Sequence, residues 1–97
     1  MSENPYQNEL ETAGERLGQC MASVSPEEKE VLRNIKTRVE ELARDEETRG
    51  RYLDRSAIFA AVIAVDDRIT NEALIEAARE YLEKDYLFVK HFKEASV

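Results

Sequence analysis

The sequence predicts an all-α fold, a compact bundle of about four helices that forms a single domain over residues 1–97. Three observations favour this class. After Pro26 the chain has no further proline and only one glycine, so little interrupts helix formation. Apolar residues recur every three or four positions, which is the helical period. Residues 57–65 contain no polar side chain and predict a short apolar central helix. The expected helices cover approximately residues 5–23, 26–48, 52–66 and 71–94.

The first predicted helix opens with a start signal. Asn4 can cap it, Pro5 suits the first helical position, and Gln7 completes a variant of the capping box. The apolar stripe of this helix consists of Leu10, Ala13, Leu17, Cys20, Met21 and Val24. Gly14 and Gly18 lie along one edge of that stripe, and each glycine costs a helix roughly 1 kcal/mol relative to alanine. We therefore expect a second backbone to approach there, with the alanines of residues 57–64 as the simplest partner.

The second predicted helix begins at the sequence Ser-Pro-Glu-Glu, where Ser25 is the cap and Pro26 the first helical residue. Its apolar pattern stops at Ala43, and a helix end or a kink is expected between about Thr48 and Tyr52. Acidic and basic residues four positions apart predict ion pairs along this helix. The expected pairs are Glu40 with Arg44, Asp45 with Arg49, and Glu47 with Arg51.

The third predicted helix contains the nine apolar residues 57–65. In a chain with 36% charged residues, a run of this kind must be hidden from water. It marks either the centre of the fold or the centre of an interface. A bilayer-spanning helix needs about 20 apolar residues, so the run is too short to be one.

The fourth predicted helix places its large apolar residues on one side, with Asp85 in their midst. Either Asp85 is buried with a cationic or hydroxyl partner, or the helix breaks there and Asp85 caps a final short helix. His91 is expected to project away from the apolar side. The apolar side consists of Leu74, Ile75, Ala78, Tyr81, Leu82, Phe88, Val89 and Phe92.

The charge balance limits the classes of partner. A formal net charge of −7 argues against direct binding to nucleic acid and against an anionic membrane surface. The single cysteine, Cys20, excludes an intrachain disulfide and suits a reducing compartment. The first residues do not resemble a signal peptide, so a cytoplasmic protein is expected.

The residue types needed for catalysis and metal binding are scarce. The single histidine, His91, and the single cysteine lie on different helices, and Cys20 belongs to an apolar stripe. No paired Glu-x-x-His elements and no glycine-rich phosphate loop are present. We therefore expect a protein that is not an enzyme and that carries no cofactor and no metal.

A row of carboxylates on the fourth helix is the main candidate site for a partner. Carboxylates at helical spacing can engage a basic protein surface. The row consists of Asp66, Asp67, Glu72, Glu76, Glu80 and Glu83. Tyr86 and Leu87 extend it into an aromatic C-terminal segment, through which a homodimer contact is expected because Leu87 points away from the main apolar side.

These features favour a small acidic protein that binds another protein, as a regulator, an inhibitor or a small subunit of a complex. The expected partner has a basic surface. One alternative is an inhibitor that mimics nucleic acid. The other is a helical bundle that binds a small ligand through Asp85, Tyr81 and an arginine such as Arg55.

Overall fold

The computed structural model describes residues 4–95 and confirms the all-α class. The helices are α1 (Gln7–Ala22), α2 (Pro26–Thr48), α3 (Arg55–Val65) and α4 (Glu72–Ala95). The described residues contain no β-strand. None of these helices is both long enough and apolar enough to cross a bilayer.

Side-chain caps explain where three of the helices start. Ser25 Oγ accepts a hydrogen bond from the backbone N–H of Glu28 at 3.2 Å, as the start signal predicted. Asp54 Oδ1 accepts from Ala57 N at 3.1 Å, and Asn71 Oδ1 accepts from Leu74 N at 3.0 Å. Each cap satisfies a backbone donor that has no partner within its helix.

The start of α1 differs from the prediction. The helix begins at Gln7 rather than at Pro5, because Asn4 forms a turn in which its Oδ1 accepts from Tyr6 N at 3.0 Å. The Nδ2 of Asn4 donates to the carbonyl oxygen of Phe88 at 2.9 Å, so this residue also ties α1 to the far end of α4.

The boundary between α2 and α3 lies where the sequence predicted it. The second helix ends at Thr48, and Gly50 adopts a φ of 79°, a left-handed conformation that glycine tolerates best. The three predicted ion pairs are wrong. Glu46 instead binds Arg49, three positions further along, at 3.1 Å, and Arg51, which lies past the end of the helix, at 3.2 Å.

The helices form an open arrangement in which α3 lies between α2 and α4, and α4 lies between α3 and α1. Helices α1 and α2 meet over only a short length. Ile63 and Leu74 are the largest fully buried side chains and mark the centre of the core. Other core residues are Leu17, Val24, Leu32, Ala60, Ile69, Ala77 and Ala78.

The predicted contact between the glycines of α1 and the alanines of α3 is wrong. The backbones of α1 and α3 do not approach each other, because α1 packs antiparallel on α4. Gly14 faces the ring of Tyr81, and a Cβ at Gly14 would lie 3.5 Å from that ring. Gly18 faces open space.

Helix α4 is continuous through Asp85, so the predicted alternative of a break there is wrong. Asp85 is half-buried, and the carboxyl group of Asp54 is close enough to raise its pKa. The other alternative expected a cationic or hydroxyl partner for Asp85 and did not anticipate the second carboxyl group. His91 is also half-buried rather than projecting away, and its ring centroid lies 6.0 Å from that of Tyr6.

Candidate functional site

The predicted row of carboxylates is only partly available to a partner. Glu72, Glu76 and Glu83 are exposed on α4 and have no hydrogen-bond or ion-pair partner among residues 4–95. Asp67 is exposed in the turn before α4 and is likewise unpaired within that range. Glu80 forms a salt bridge with Arg16 of α1 and is half-buried.

Asp66 does not belong to the available row. Its Oδ2 accepts from Arg68 Nη2 at 2.7 Å and its Oδ1 from Arg68 Nε at 3.0 Å, and its side chain is only 14% exposed. The hydrogen bonds from the side chain and backbone of Arg68 lower the pKa of the Asp66 carboxyl. Both carboxylate oxygens of Asp66 are therefore engaged by Arg68 of the same turn. We call Glu72, Glu76 and Glu83 the acidic stripe.

The two predicted residues of the C-terminal segment separate. Tyr86 is 63% exposed and follows Glu83 by three positions, so it lies beside the acidic stripe on the same side of α4. Leu87 is half-buried, as is its neighbour Phe88. Tyr86 therefore remains part of a candidate surface, whereas Leu87 is less exposed than expected.

The predicted apolar helix has one side open to solvent. Of residues 57–65, only Ala60 and Ile63 are fully buried, and Val65 is 78% exposed. Ile58 and Val62 line a groove of about 1,120 Å³ between α3 and α2. The α2 wall of this groove includes Ile35, Val39 and Leu42, and Leu42 is 47% exposed.

The α2 wall of this groove carries three charged residues, the cation Arg38 and the acids Glu41 and Asp45. Arg38, Leu42 and Asp45 all line it. At about 100° per residue these three positions fall within a stripe about 60° wide on α2. Arg38 and Asp45 have no hydrogen-bond or ion-pair partner in the described part of the chain. We call Arg38, Leu42 and Asp45, with Ile58, Val62 and Val65 of α3, the groove face.

The molecule is thin and exposes more surface than its mass requires. Its shortest dimension is 17 Å, beside 45 and 32 Å for the others. The accessible surface is 6912 Å², whereas a folded monomer of 11.2 kDa exposes about 5,700 Å². An apolar side of α3 is part of this additional surface.

A second cluster of ionisable groups lies where α3 begins beside α4. Burial, and after it the neighbouring carboxyl group of Asp54, raise the pKa of Asp85 to about 6. Burial also raises the pKa of Tyr81, partly offset by a side-chain hydrogen bond with Ser56. Arg55, expected with Asp85 and Tyr81 in a ligand site, instead forms salt bridges with Glu40 and Glu47 of α2.

Neither cluster forms a metal centre. Within residues 4–95, no group of three His, Cys, Asp or Glu side chains is arranged to hold a metal ion. Cys20 and His91 both lie on described helices; Cys20 packs against the core and His91 packs on Tyr6.

Comparison of the chain with known protein families, curated proteins and solved structures finds no match in any of the three.

Proposed function

We propose that this chain is a non-enzymatic protein-binding module that acts as a regulator, an inhibitor or a small subunit, and that it pairs with a second copy of itself through the groove face. The observation that carries the proposal is the half-exposed apolar helix α3. Val65 is exposed to water, and burying a side chain of this kind is favourable by about 1.5–3 kcal/mol. Contact between two groove faces would bury it.

The charges of the groove face favour a second copy as its occupant. A two-fold interface brings the same patch together from both subunits, so the patch must be self-complementary. If two α2 helices cross antiparallel near Leu42, Arg38 of each copy faces Asp45 of the other. Both residues are otherwise unpaired in the described chain.

The acidic stripe remains available in such a dimer, because it lies on α4, whereas the groove face consists of residues of α2 and α3. Glu72, Glu76 and Glu83 with Tyr86 present negative charge and an aromatic ring, a combination that suits a basic protein surface. Mimicry of nucleic acid is supported less, because Glu80 and Asp66 are engaged by arginines and the row of carboxylates is interrupted.

Sedimentation equilibrium tests the pairing. We expect the wild-type chain to sediment at twice its monomer mass of 11.2 kDa. Val65→Asp should yield a folded monomer, since Val65 is exposed and lies on the same side of α3 as Ile58 and Val62, which line the groove. Tyr52→Asp is the matched control, because Tyr52 is 83% exposed and lies outside the groove face. This variant should remain dimeric.

A charge reversal tests the antiparallel register. Arg38→Asp places like charges opposite each other and should weaken the dimer. Adding Asp45→Arg to that variant restores opposite charges and should restore dimerisation. A wild-type chain that stays monomeric at high concentration, or a double variant no better than Arg38→Asp, would contradict the pairing.

A further inference from the structure

A second depression lies on the other side of α2 from the groove face. It is an open cleft of about 540 Å³ lined by residues of α1, α2 and α3. Its apolar lining includes Met21, Leu32 and Phe59. This volume is within the range of about 300–1,000 Å³ that is typical of small-molecule sites.

The rim of this cleft is cationic, in contrast to the chain as a whole. Lys29, Arg33, Lys36 and Arg55 line it, with Glu40 as the single acidic lining residue. Arg33 forms a salt bridge with Glu30, and Arg55 forms salt bridges with Glu40 and Glu47. Lys29 and Lys36 have no ion-pair or hydrogen-bond partner within residues 4–95.

One polar group at the cleft lacks a hydrogen bond. The Nε of Arg55 is buried and donates to no acceptor, although Glu40 Oε2 lies 3.3 Å away as its ionic partner. The charge of Arg55 is already shared with Glu40 and Glu47 of α2, so the unpaired positive charge at the cleft belongs to Lys29 and Lys36.

Gly18 provides independent support. A glycine inside a helix costs about 1 kcal/mol relative to alanine, and no neighbouring backbone requires one here. A Cβ at Gly18 would meet nothing within 4 Å, and Gly18 lines the cleft. The glycine therefore keeps open a space that any larger side chain would occupy.

We propose that this cleft binds a small amphipathic anion, an aliphatic or aromatic body that ends in a carboxylate or a phosphate. The apolar body packs on Met21, Leu32 and Phe59. The anionic end is held by Lys29 and Lys36, with Arg55 at the side. This inference does not depend on the proposed dimer, because the cleft and the groove face lie on different sides of α2.

Isothermal titration calorimetry with decanoate tests the binding, and decyl phosphate tests the alternative head group. We expect saturable binding of at least one of the two. Decyltrimethylammonium, which has the same chain and the opposite charge, should bind at least tenfold more weakly because the rim repels it. Equal binding of the cationic and anionic probes, or no saturable binding of either anion, would overturn the proposal.

Two variants locate the site. Gly18→Leu fills the cleft and should reduce affinity at least tenfold while the helical circular dichroism is retained. Replacing Lys29 and Lys36 together by Gln should weaken binding about fivefold to tenfold and reduce its salt dependence. The matched control replaces Lys90 and Lys93 of α4 by Gln and should bind like wild type. Unchanged affinity in folded Gly18→Leu would overturn the assignment.

Discussion

Replacement of Asp85 by Asn should stabilise the fold at neutral pH. Asp85 is half-buried beside Asp54, and its pKa is raised from 3.8 to about 6, first by burial and then by the charge of Asp54. An acid with a raised pKa in the folded state holds its proton more tightly there than in the unfolded state. Its contribution to stability is therefore present at acidic pH and is lost as pH rises through about 6.

The size of the effect follows from the pKa. A rise from 3.8 to about 6 corresponds to at most about 3 kcal/mol between pH 4 and pH 7. Because both carboxyl groups are half-exposed, solvent screening reduces this to about 1 kcal/mol. For a chain of this length, a change of about 1 kcal/mol moves the melting temperature by about 4–8 °C.

Urea unfolding of wild type and Asp85→Asn between pH 4.5 and pH 7.5 measures this effect. The variant should gain about 1 kcal/mol over wild type at pH 7 and little at pH 4.5. Asp67→Asn is the matched control, since Asp67 is exposed and the charge change is the same. The reasoning is refuted if Asp85→Asn is no more stable than Asp67→Asn at pH 7, or if its advantage does not shrink toward pH 4.5.

Two further stability predictions follow from backbone geometry, and urea unfolding measures both. Gly18→Ala should stabilise the fold by about 0.5–1 kcal/mol, because the new methyl group meets no neighbouring atom. Gly50→Ala should destabilise the fold by about 1 kcal/mol, because Gly50 has a φ of 79° that alanine rarely adopts. Equal changes in stability for the two variants would contradict this. Ser25→Ala should cost about 1 kcal/mol through loss of the bond to Glu28 N, and Ser23→Ala, which loses only a side-chain bond to the Gln19 carbonyl, is the control.

The helices were predictable because their signals are local. Ser25 with Pro26 starts α2, and Gly50 ends the following turn within the expected interval. These residues act on the backbone within a few positions, so no knowledge of the rest of the fold is needed. The length of α4 was less predictable, because Asp85 resembles a cap in sequence and only its neighbour Asp54 shows that it is not one.

Pairings between distant segments were not predictable in the same way. The spacing of Gly14 and Gly18 indicated close packing, but spacing alone does not identify the neighbour. The predicted ion pair of Glu40 with Arg44 has the correct helical spacing, yet Glu40 binds Arg55 because the turn at Gly50 brings α3 alongside α2. A salt bridge within a helix is worth only a few tenths of a kcal/mol, so tertiary geometry readily replaces it.

The sequence predicted the row of carboxylates on α4, but it did not show which of them lack an ion-pair partner. Helical spacing placed Glu76, Glu80 and Glu83 on one side of α4, and Glu76 and Glu83 are indeed exposed and unpaired in the described chain. Glu80 is engaged by Arg16 only because α1 lies antiparallel on α4. No local sequence pattern predicted the cleft or the groove face, since each combines residues from two or three helices.

Helix α2 has a dense pattern of acidic and basic residues, and the two proposed sites use opposite sides of it. One side carries Arg38 and Asp45 around Leu42, opposite charges at a spacing that suits a second copy of the same helix. The other side carries Lys29 and Lys36 beside an apolar floor, charges of one sign that suit an anion. In the sequence these residues are interspersed with one another and with further acidic residues, and only the rotation of the helix separates the two sides. A variant of Leu42 should therefore affect self-association alone, and a variant of Lys36 should affect anion binding alone.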